Sequence, residues 1–364
     1  MDWDVFCRVV DNYGDIGVCW RLSADLAARG DRVRLWTDDA GPLAWMAPHG
    51  APGVEIRAWP ADDDASTAPG AAVIEAFGCR LPTGFVQRMS VREPPPVWIN
   101  LEYLSAEDYV DRNHGLRSPQ LSGPGQGLDK WFFYPGFTER SGGLLHEPDL
   151  EKRLAAFNAA QWLQAQGIER AAGERCVSVF CYANPALPAL LDALSAAPTL
   201  LLVTPGLAAR QVRDQLGSAG RRGPLRAHYL PALPQTAYDH LLWSCDLNLV
   251  RGEDSFVRAQ WAGKPFLWQI YPQDDRAHEA KLAAFNRRFL ADTAADLAAA
   301  VERAAMEWNG FGGRNPPPAG RAGFALPAPA LWPPWRSHCD AWRARLLARP
   351  DLATALRAFV LERR

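Results

Sequence analysis

The stretch VFCRVVDNYGDIGVCWRLSADLAARGDRVRLWT, residues 5–37, decides the fold. It opens on a short apolar run, Val5–Val10, and passes through a glycine-bearing polar loop. In segment 17–29 that follows, Val18, Leu22, Leu26 and Ala27 recur on one side of a helix. Gly30 then stands where a helix end needs left-handed backbone, and a second apolar run, Val33–Thr37, completes a strand–helix–strand unit.

The same alternation continues along the chain. Apolar runs at Val54–Ala58, Ala72–Phe77 and Val97–Leu101 read as further strands, and KWFFYPGF at 130–137 as another, closed by Pro-Gly. Segment 149–166 reads as one helix, with Leu150, Leu154, Phe157 and Trp162 on an apolar face. A second strand series follows at Val177–Cys181, Leu200–Thr204, Arg226–Tyr229, Leu247–Val250 and Phe266–Gln269. A proline-rich stretch from Asn309 to Pro334 leads to final helices at 336–348 and 351–362. Strands alternating with helices make an α/β chain with parallel sheets. Its 364 residues suit two domains: 1–148, joined by helices from 336 to 364, and 149–335.

Composition excludes several function classes. A formal charge of −2 and a pI near 6.4 argue against general nucleic-acid binding and against a polybasic membrane surface. No segment approaches the roughly 18 uninterrupted apolar residues of a membrane span, and the opening MDWDVFCRVVDNYG lacks the pattern of a secretory signal. The seven cysteines are odd in number, scattered and without a C-x-x-C pair. No histidine pair has metal-ligand spacing. The expectation is a cytoplasmic protein with no metal and no cofactor. G-x-S-x-G is absent, which disfavours Ser-His-Asp hydrolysis, and His228, His240 and His278 show no relay spacing.

Two loops are placed to carry chemistry. The first, Asp11-Asn12-Tyr13-Gly14-Asp15-Ile16-Gly17, follows the first strand, so it opens on the ligand-binding end of a parallel sheet. Its acids would repel a pyrophosphate but suit a general base or a cationic substrate, and Gly14 lets a ligand approach closely. The structural alternative stays open: Asp15 caps the helix and Asp11 ends the strand in a side-chain turn. The second loop, Arg251-Gly252-Glu253-Asp254-Ser255, lies between a strand and a helix. Its backbone N–H groups and Ser255 suit a diphosphate, Arg251 suits its charge, and Glu253 and Asp254 suit sugar hydroxyls. A simple helix cap is the competing reading. Phe180 and Tyr182, after a strand, can stack a nucleobase whose edge Gln235 reads, or they can be core.

Five stretches together resemble one family. They are DVFCRVVDNYGDIGVCWRLSADLA at 4–27, WINLEYLSAEDYV at 98–110, FFYPGFTERSGGLL at 132–145, FCYANP at 180–185 and LLWSCDLNLVRGEDSFVRAQWAGKPFLWQIYPQ at 241–273. The family is that of the protein-arginine rhamnosyltransferases acting on bacterial elongation factor P, the EarP family. The resemblance implies a GT-B fold, two doubly wound Rossmann-like domains facing a cleft, with a C-terminal helix returning to the first. It implies an inverting glycosyltransferase that moves L-rhamnose from dTDP-β-L-rhamnose to one arginine of elongation factor P without a metal. The first domain takes the acceptor and the second the nucleotide sugar.

The family's loop aspartates fall on Asp15, the candidate base, and Asp11, its support. Its donor-site residues fall on Phe180, Tyr182, Gln235, Arg251, Glu253, Asp254 and Ser255, with Gly14 added from its place in the first loop. The chain departs from the pattern at Ala232, where the family often has an aromatic, which puts part of the thymine pocket in question. Two other readings are carried: a non-catalytic nucleotide-sugar or elongation-factor-binding protein, and a glycosyltransferase with a small acceptor.

Overall fold

The structure is a computed structural model and describes residues 1–10, 13–62, 66–311 and 323–364. The chain forms two compact units, Met1–Pro148 with Leu346–Arg364, and Asp149–Arg345.

In the first unit the order is β1 (Asp2–Cys7), α1 (Gly14–Ala28), β2 (Arg32–Thr37), α2 (Leu43–Met46), β3 (Val54–Ala58), β4 (Ala72–Ala76), α3 (Thr83–Val91), β5 (Val97–Leu101), α4 (Tyr109–Asn113), β6 (Arg117–Pro119) and β7 (Asp129–Phe133). The sheet order is β3-β2-β1-β4-β5-β7-β6, parallel except for the β6–β7 edge pair. Connections run from β1 outward to β2 and β3, then cross back to β4. The carboxyl ends of β1 and β4 therefore mark the topological switch point, where open sheets of this kind bind ligands.

Helix α1 is clamped from both sides. Ile16, Leu22 and Leu26 are fully buried in a core with Val5, Ile74 and Leu356, and each such side chain contributes about 2 kcal/mol by leaving water. At its far end Arg29 takes both oxygens of Asp25, at 3.0 and 3.1 Å, and one of Asp351 at 2.8 Å. Asp351 caps the final helix by accepting from the Thr354 amide at 2.9 Å, so one arginine joins two helix ends. Gly30, at φ +89°, makes the left-handed turn that ends α1.

In the second unit the order is α5 (Leu150–Ala156), α6 (Ala159–Ala165), β8 (Arg175–Val179), α7 (Leu187–Leu194), β9 (Thr199–Val203), α8 (Leu207–Leu216), β10 (Arg221–Arg222), β11 (Leu225–Tyr229), α9 (Gln235–Ser244), β12 (Leu247–Arg251), α10 (Asp254–Ala262), β13 (Phe266–Gln269), α11 (Ala277–Phe289) and α12 (Ala295–Trp308). Helix α13 (Trp332–Leu347) then carries the chain across the unit boundary to α14 (Leu352–Leu361) in the first unit. The sheet order is β10-β11-β9-β8-β12-β13, and its switch point lies between β8 and β12.

Several elements differ from the sequence reading. The helix expected over 149–166 breaks at Phe157, whose backbone is extended, and Asn158 restarts it by accepting from the Gln161 amide at 3.0 Å. The break turns the Phe157 ring onto His240 and Trp243, at 4.9 and 5.2 Å, which one continuous helix does not do. The first strand stops at Cys7 rather than Val10, and the strand of 130–137 stops at Phe133. Beyond Phe133 the Tyr134 amide donates to His114 Nδ1 instead of to a neighbouring strand. Residues 312–322 of the proline-rich stretch lie outside the described residues. Among those described, no helix is long and apolar enough to cross a membrane, and all seven cysteines are free thiols.

Candidate functional site

Each unit brings candidate residues to the carboxyl ends of its strands. In the first, Asp15 is the second residue of α1 and is 3% exposed. The helix is N-capped by Tyr13, which makes no side-chain capping bond. Asp15 instead reaches outward: its Oδ2 accepts from the Val10 amide at 2.8 Å and its Oδ1 from the Tyr103 hydroxyl at 3.3 Å. The carboxylate is thus held across the switch point, between the chain leaving β1 and the chain leaving β5. A helix N-terminus stabilises a negative charge there.

Gly14, the first residue of α1, is partly exposed beside Asp15. Asp11, the companion acid of the sequence reading, lies outside the described residues. Two thiols nearby are held protonated: Cys19 is pushed well up by its hydrogen bond with Cys7 and by burial, and Cys79 is raised by burial.

In the second unit Phe180 and Tyr182 follow β8, and Arg251 ends β12. The Arg251 guanidinium carbon lies 4.4 Å from the ring centroids of both, so strand order assembles a cation between two aromatic rings. Tyr238 meets Phe180 edge-on at 5.9 Å. Behind the rings, burial raises the Cys181 thiol to about 12 despite the nearby arginine.

The turn into α10 needs Gly252, whose φ of +63° is left-handed. Glu253 is the N-cap of α10, and its carbonyl accepts the Val257 amide at 3.0 Å. Gln235, the first residue of α9, donates from Nε2 to Asp254 Oδ2 at 3.1 Å, tying the starts of α9 and α10 together.

Ser255 is 5% exposed and bonded twice to Arg251: its hydroxyl donates to the Arg251 carbonyl and accepts from the Arg251 amide at 3.1 Å. Its one O–H is spent on the strand end, so it must rotate before it can donate to an anion. The loop after β11 leaves Ala232 exposed.

Two residues that hold this end escaped the sequence reading. Gln269, at the end of β13, accepts from the Tyr182 amide at 2.8 Å and donates to the Ala183 carbonyl at 3.2 Å. Arg258 on α10 pairs with Asp239 on α9. Neither carries a motif; only strand and helix neighbourhood reveals them.

The histidines stay outside both sites. Burial lowers His228, His240 and His278, and His278 accepts from the Gln273 amide. Clefts of about 620 Å³ beside Asp2 and Arg32, and about 1190 Å³ beside Arg175 and Asp246, lie at the amino-terminal ends of the two sheets. That is the end opposite to where such folds bind substrates. Among the described residues no group of three His, Cys, Asp or Glu side chains is gathered to hold a metal.

With this geometry in place, similarity to known proteins becomes informative. The profile of the family described as Elongation-Factor P (EF-P) rhamnosyltransferase EarP matches residues 3–361. The protein-arginine rhamnosyltransferase of Pseudomonas aeruginosa is 45% identical over 380 residues, covering 98% of each chain. A solved structure described as the structural basis for EarP-mediated arginine glycosylation of translation elongation factor EF-P superposes with a TM-score of 0.66. It is 32% identical and covers 99% of each chain. The glycosyltransferase VinC, solved with dTDP, superposes at TM-score 0.51 with 12% identity over the whole of each chain, which speaks for the fold alone. The fold is that of the GT-B glycosyltransferases.

Proposed function

The chain belongs to the EarP family of elongation-factor-P rhamnosyltransferases, and from that premise we propose how its two strand-end sites share the reaction. The protein is a glycosyltransferase that moves rhamnose onto an arginine of elongation factor P. Profile and relatives span nearly the entire chain, which favours catalysis over a non-catalytic binding role. The further details are our reading: dTDP-β-L-rhamnose as donor, inversion at the anomeric carbon, no metal, and a cytoplasmic location beside the translation machinery.

A guanidinium is a poor nucleophile, because it is protonated below pH ~12 and its lone pairs are delocalised. Asp15 answers both difficulties. Its negative charge binds the cation, and its fixed oxygens orient one nitrogen toward the anomeric carbon. As the N–C bond forms, a nitrogen-bound proton passes to the Asp15 carboxylate. The anomeric C–O bond breaks with its electron pair leaving on the nucleoside diphosphate. Attack opposite that bond converts the β-donor to an α-linked product. Asp11 steers the acceptor or supports Asp15.

The second unit binds the nucleotide sugar. The start of α10 and Arg251 meet the diphosphate charge that builds as the bond breaks, which is work done without a metal. Phe180 and Tyr182 hold Arg251 in place and offer aromatic surface to the base. Gln235 and Asp254, joined to one another, together with Glu253, face base and sugar hydroxyls. Ser255 joins the phosphate contacts by turning its hydroxyl away from Arg251.

The observation that carries this reading is the placement of Asp15, buried and doubly anchored at the switch point of an EarP-family chain. The test is an intact-mass measurement of elongation factor P incubated with this protein and dTDP-β-L-rhamnose. One rhamnose per acceptor is expected, and none on an acceptor whose target arginine is replaced by lysine. No mass gain, or gain on the lysine acceptor, contradicts the reading.

A further inference from the structure

The hydroxyl that reaches Asp15 belongs to a residue with a second feature. Tyr103 is 39% exposed, one of three tyrosines exposed to about that extent among the described residues. Its ring stacks on Phe77 with centroids 4.3 Å apart and planes 14° from parallel. Phe77 follows β4 directly and has a φ of +56°, a left-handed conformation that a bulky side chain rarely adopts. Such a conformation is strained and persists only where the surrounding structure holds it in place. Here its result is to bring the Phe77 ring beneath Tyr103 at the carboxyl ends of β4 and β5. Val10, whose amide holds the other oxygen of Asp15, is also exposed, as is Tyr13.

We propose that Tyr103 is a positioning residue for Asp15 and that its ring, backed by Phe77, is the face against which the acceptor guanidinium lies. The inference rests on the reading of Asp15 as the acceptor-side base. A base must present a fixed oxygen to the proton it removes, since misplacement by about 1 Å costs on the order of a hundredfold in rate. The Val10 amide and the Tyr103 hydroxyl, one on each oxygen, fix the carboxylate plane. Both of these donors are neutral, so neither cancels the negative charge that draws a cation. A guanidinium is flat and weakly hydrated, and it packs against aromatic faces while donating hydrogen bonds from its edge. A stacked ring beside a carboxylate offers both contacts at once.

Two substitutions separate the roles. Tyr103→Phe keeps the ring and removes the hydroxyl, whereas Tyr103→Leu removes both. For Tyr103→Phe, kcat is expected to fall roughly tenfold with KM for elongation factor P within about twofold of wild type, the size of effect of one lost hydrogen bond. For Tyr103→Leu the same fall in kcat is joined by a rise in that KM of roughly tenfold, from the lost stacking face. KM for the donor stays unchanged in both.

The inference is overturned if both variants keep kcat and acceptor KM within twofold of wild type, or if Tyr103→Phe raises acceptor KM while leaving kcat alone. A melting temperature unchanged in Tyr103→Phe keeps that variant decisive even where Tyr103→Leu folds poorly. Asp15→Asn, measured alongside, tells the two ideas apart. An inactive Asp15→Asn beside unaffected Tyr103 variants removes the role of Tyr103 only. A fully active Asp15→Asn removes the base assignment beneath it.

Discussion

Arg258 closes a two-pronged salt bridge on Asp239, Nε to Oδ1 at 2.9 Å and Nη2 to Oδ2 at 2.7 Å, with both side chains 1% exposed. The pair joins α9 to α10, the two helices whose first residues, Gln235 and Asp254, are bonded at the candidate donor site. Removing either partner takes this two-pronged bond from a charge held in the interior. Arg258→Ala is therefore expected to destabilise the second unit by roughly 3–5 kcal/mol, the usual cost of breaking a buried pair. Denaturant unfolding followed by fluorescence measures it, and a loss below about 1 kcal/mol would show that water reaches the pair.

A second relationship concerns pH. Burial, working against the hydrogen bonds and charge of Arg29, raises the Asp25 carboxyl to about 6. A raised folded-state value means that the native protein binds this proton more tightly than the unfolded chain does. Its contribution is full below the unfolded value near 4 and is lost as pH rises through about 6. Wild-type stability should thus fall relative to Asp25→Asn between those limits, by about 3 kcal/mol for a rise of about two pH units. Unfolding free energies of the two proteins at pH 4 and pH 7 give the comparison. Parallel curves would mean that Asp25 stays ionised against Arg29 throughout.

At the proposed donor site, the rings of Phe180 and Tyr182 flank the Arg251 cation. Tyr182→Ala leaves Arg251 flanked on one side only. Each such contact is worth about 0.5–2 kcal/mol, so the donor KM should rise by a factor of roughly 2 to 30. Acceptor KM should be unmoved. Steady-state kinetics with each substrate varied in turn makes the distinction, and an equal rise in both constants would point to general misfolding of the second unit.

How much of this was legible in the sequence depends on the range of the interaction. The βαβ units were readable because Val18, Leu22 and Leu26 repeat at helical spacing and because short, mainly apolar segments recur between the helical ones. The edge strand Arg117–Pro119 and the two-residue strand Arg221–Arg222 were not, being too short to set up a pattern. The break at Phe157 was hidden because its apolar spacing suits a helix, while its aromatic partners lie some 80 residues on.

The same rule holds at the sites. Asp15 and Arg251 stood out as polar residues at strand ends. The Tyr103 hydroxyl on Asp15, the left-handed Phe77 and the Asp239–Arg258 pair exist only once the strands are side by side. Ser255 adds a contact that its place at the start of a helix did not announce: its hydroxyl is bonded to the strand it follows.

That double bond to Arg251 gives Ser255→Ala a particular signature. If Ser255 only latched the strand end, its loss would lower the melting temperature and leave donor binding nearly intact. If it also turns to the diphosphate, donor KM rises as well, by roughly tenfold for one hydrogen bond to a charged group. The second outcome is expected, because Arg251 and the start of α10 would otherwise meet the leaving group without a hydroxyl donor. Differential scanning fluorimetry and donor kinetics on the same preparation decide it.

The strongest demand falls on Asp15. Exchange of one carboxylate oxygen for an amide in Asp15→Asn retains the shape and leaves an oxygen to accept a hydrogen bond, but removes the charge and the site for a proton. General-base loss typically costs about 10²–10⁴ in rate, so kcat should fall by that factor with donor KM unchanged. Asp15→Ala also vacates the space between the Val10 amide and the Tyr103 hydroxyl and removes the acceptor of both. It should lose stability by about 0.5–1.5 kcal/mol as well as activity, since Val10 is exposed and water can replace the lost bond. The contrast isolates chemistry from scaffolding: equal melting temperatures for wild type and Asp15→Asn, together with lost transfer, identify the carboxylate charge itself as what the reaction requires. Wild-type turnover in Asp15→Asn would instead leave proton removal to solvent or to Asp11.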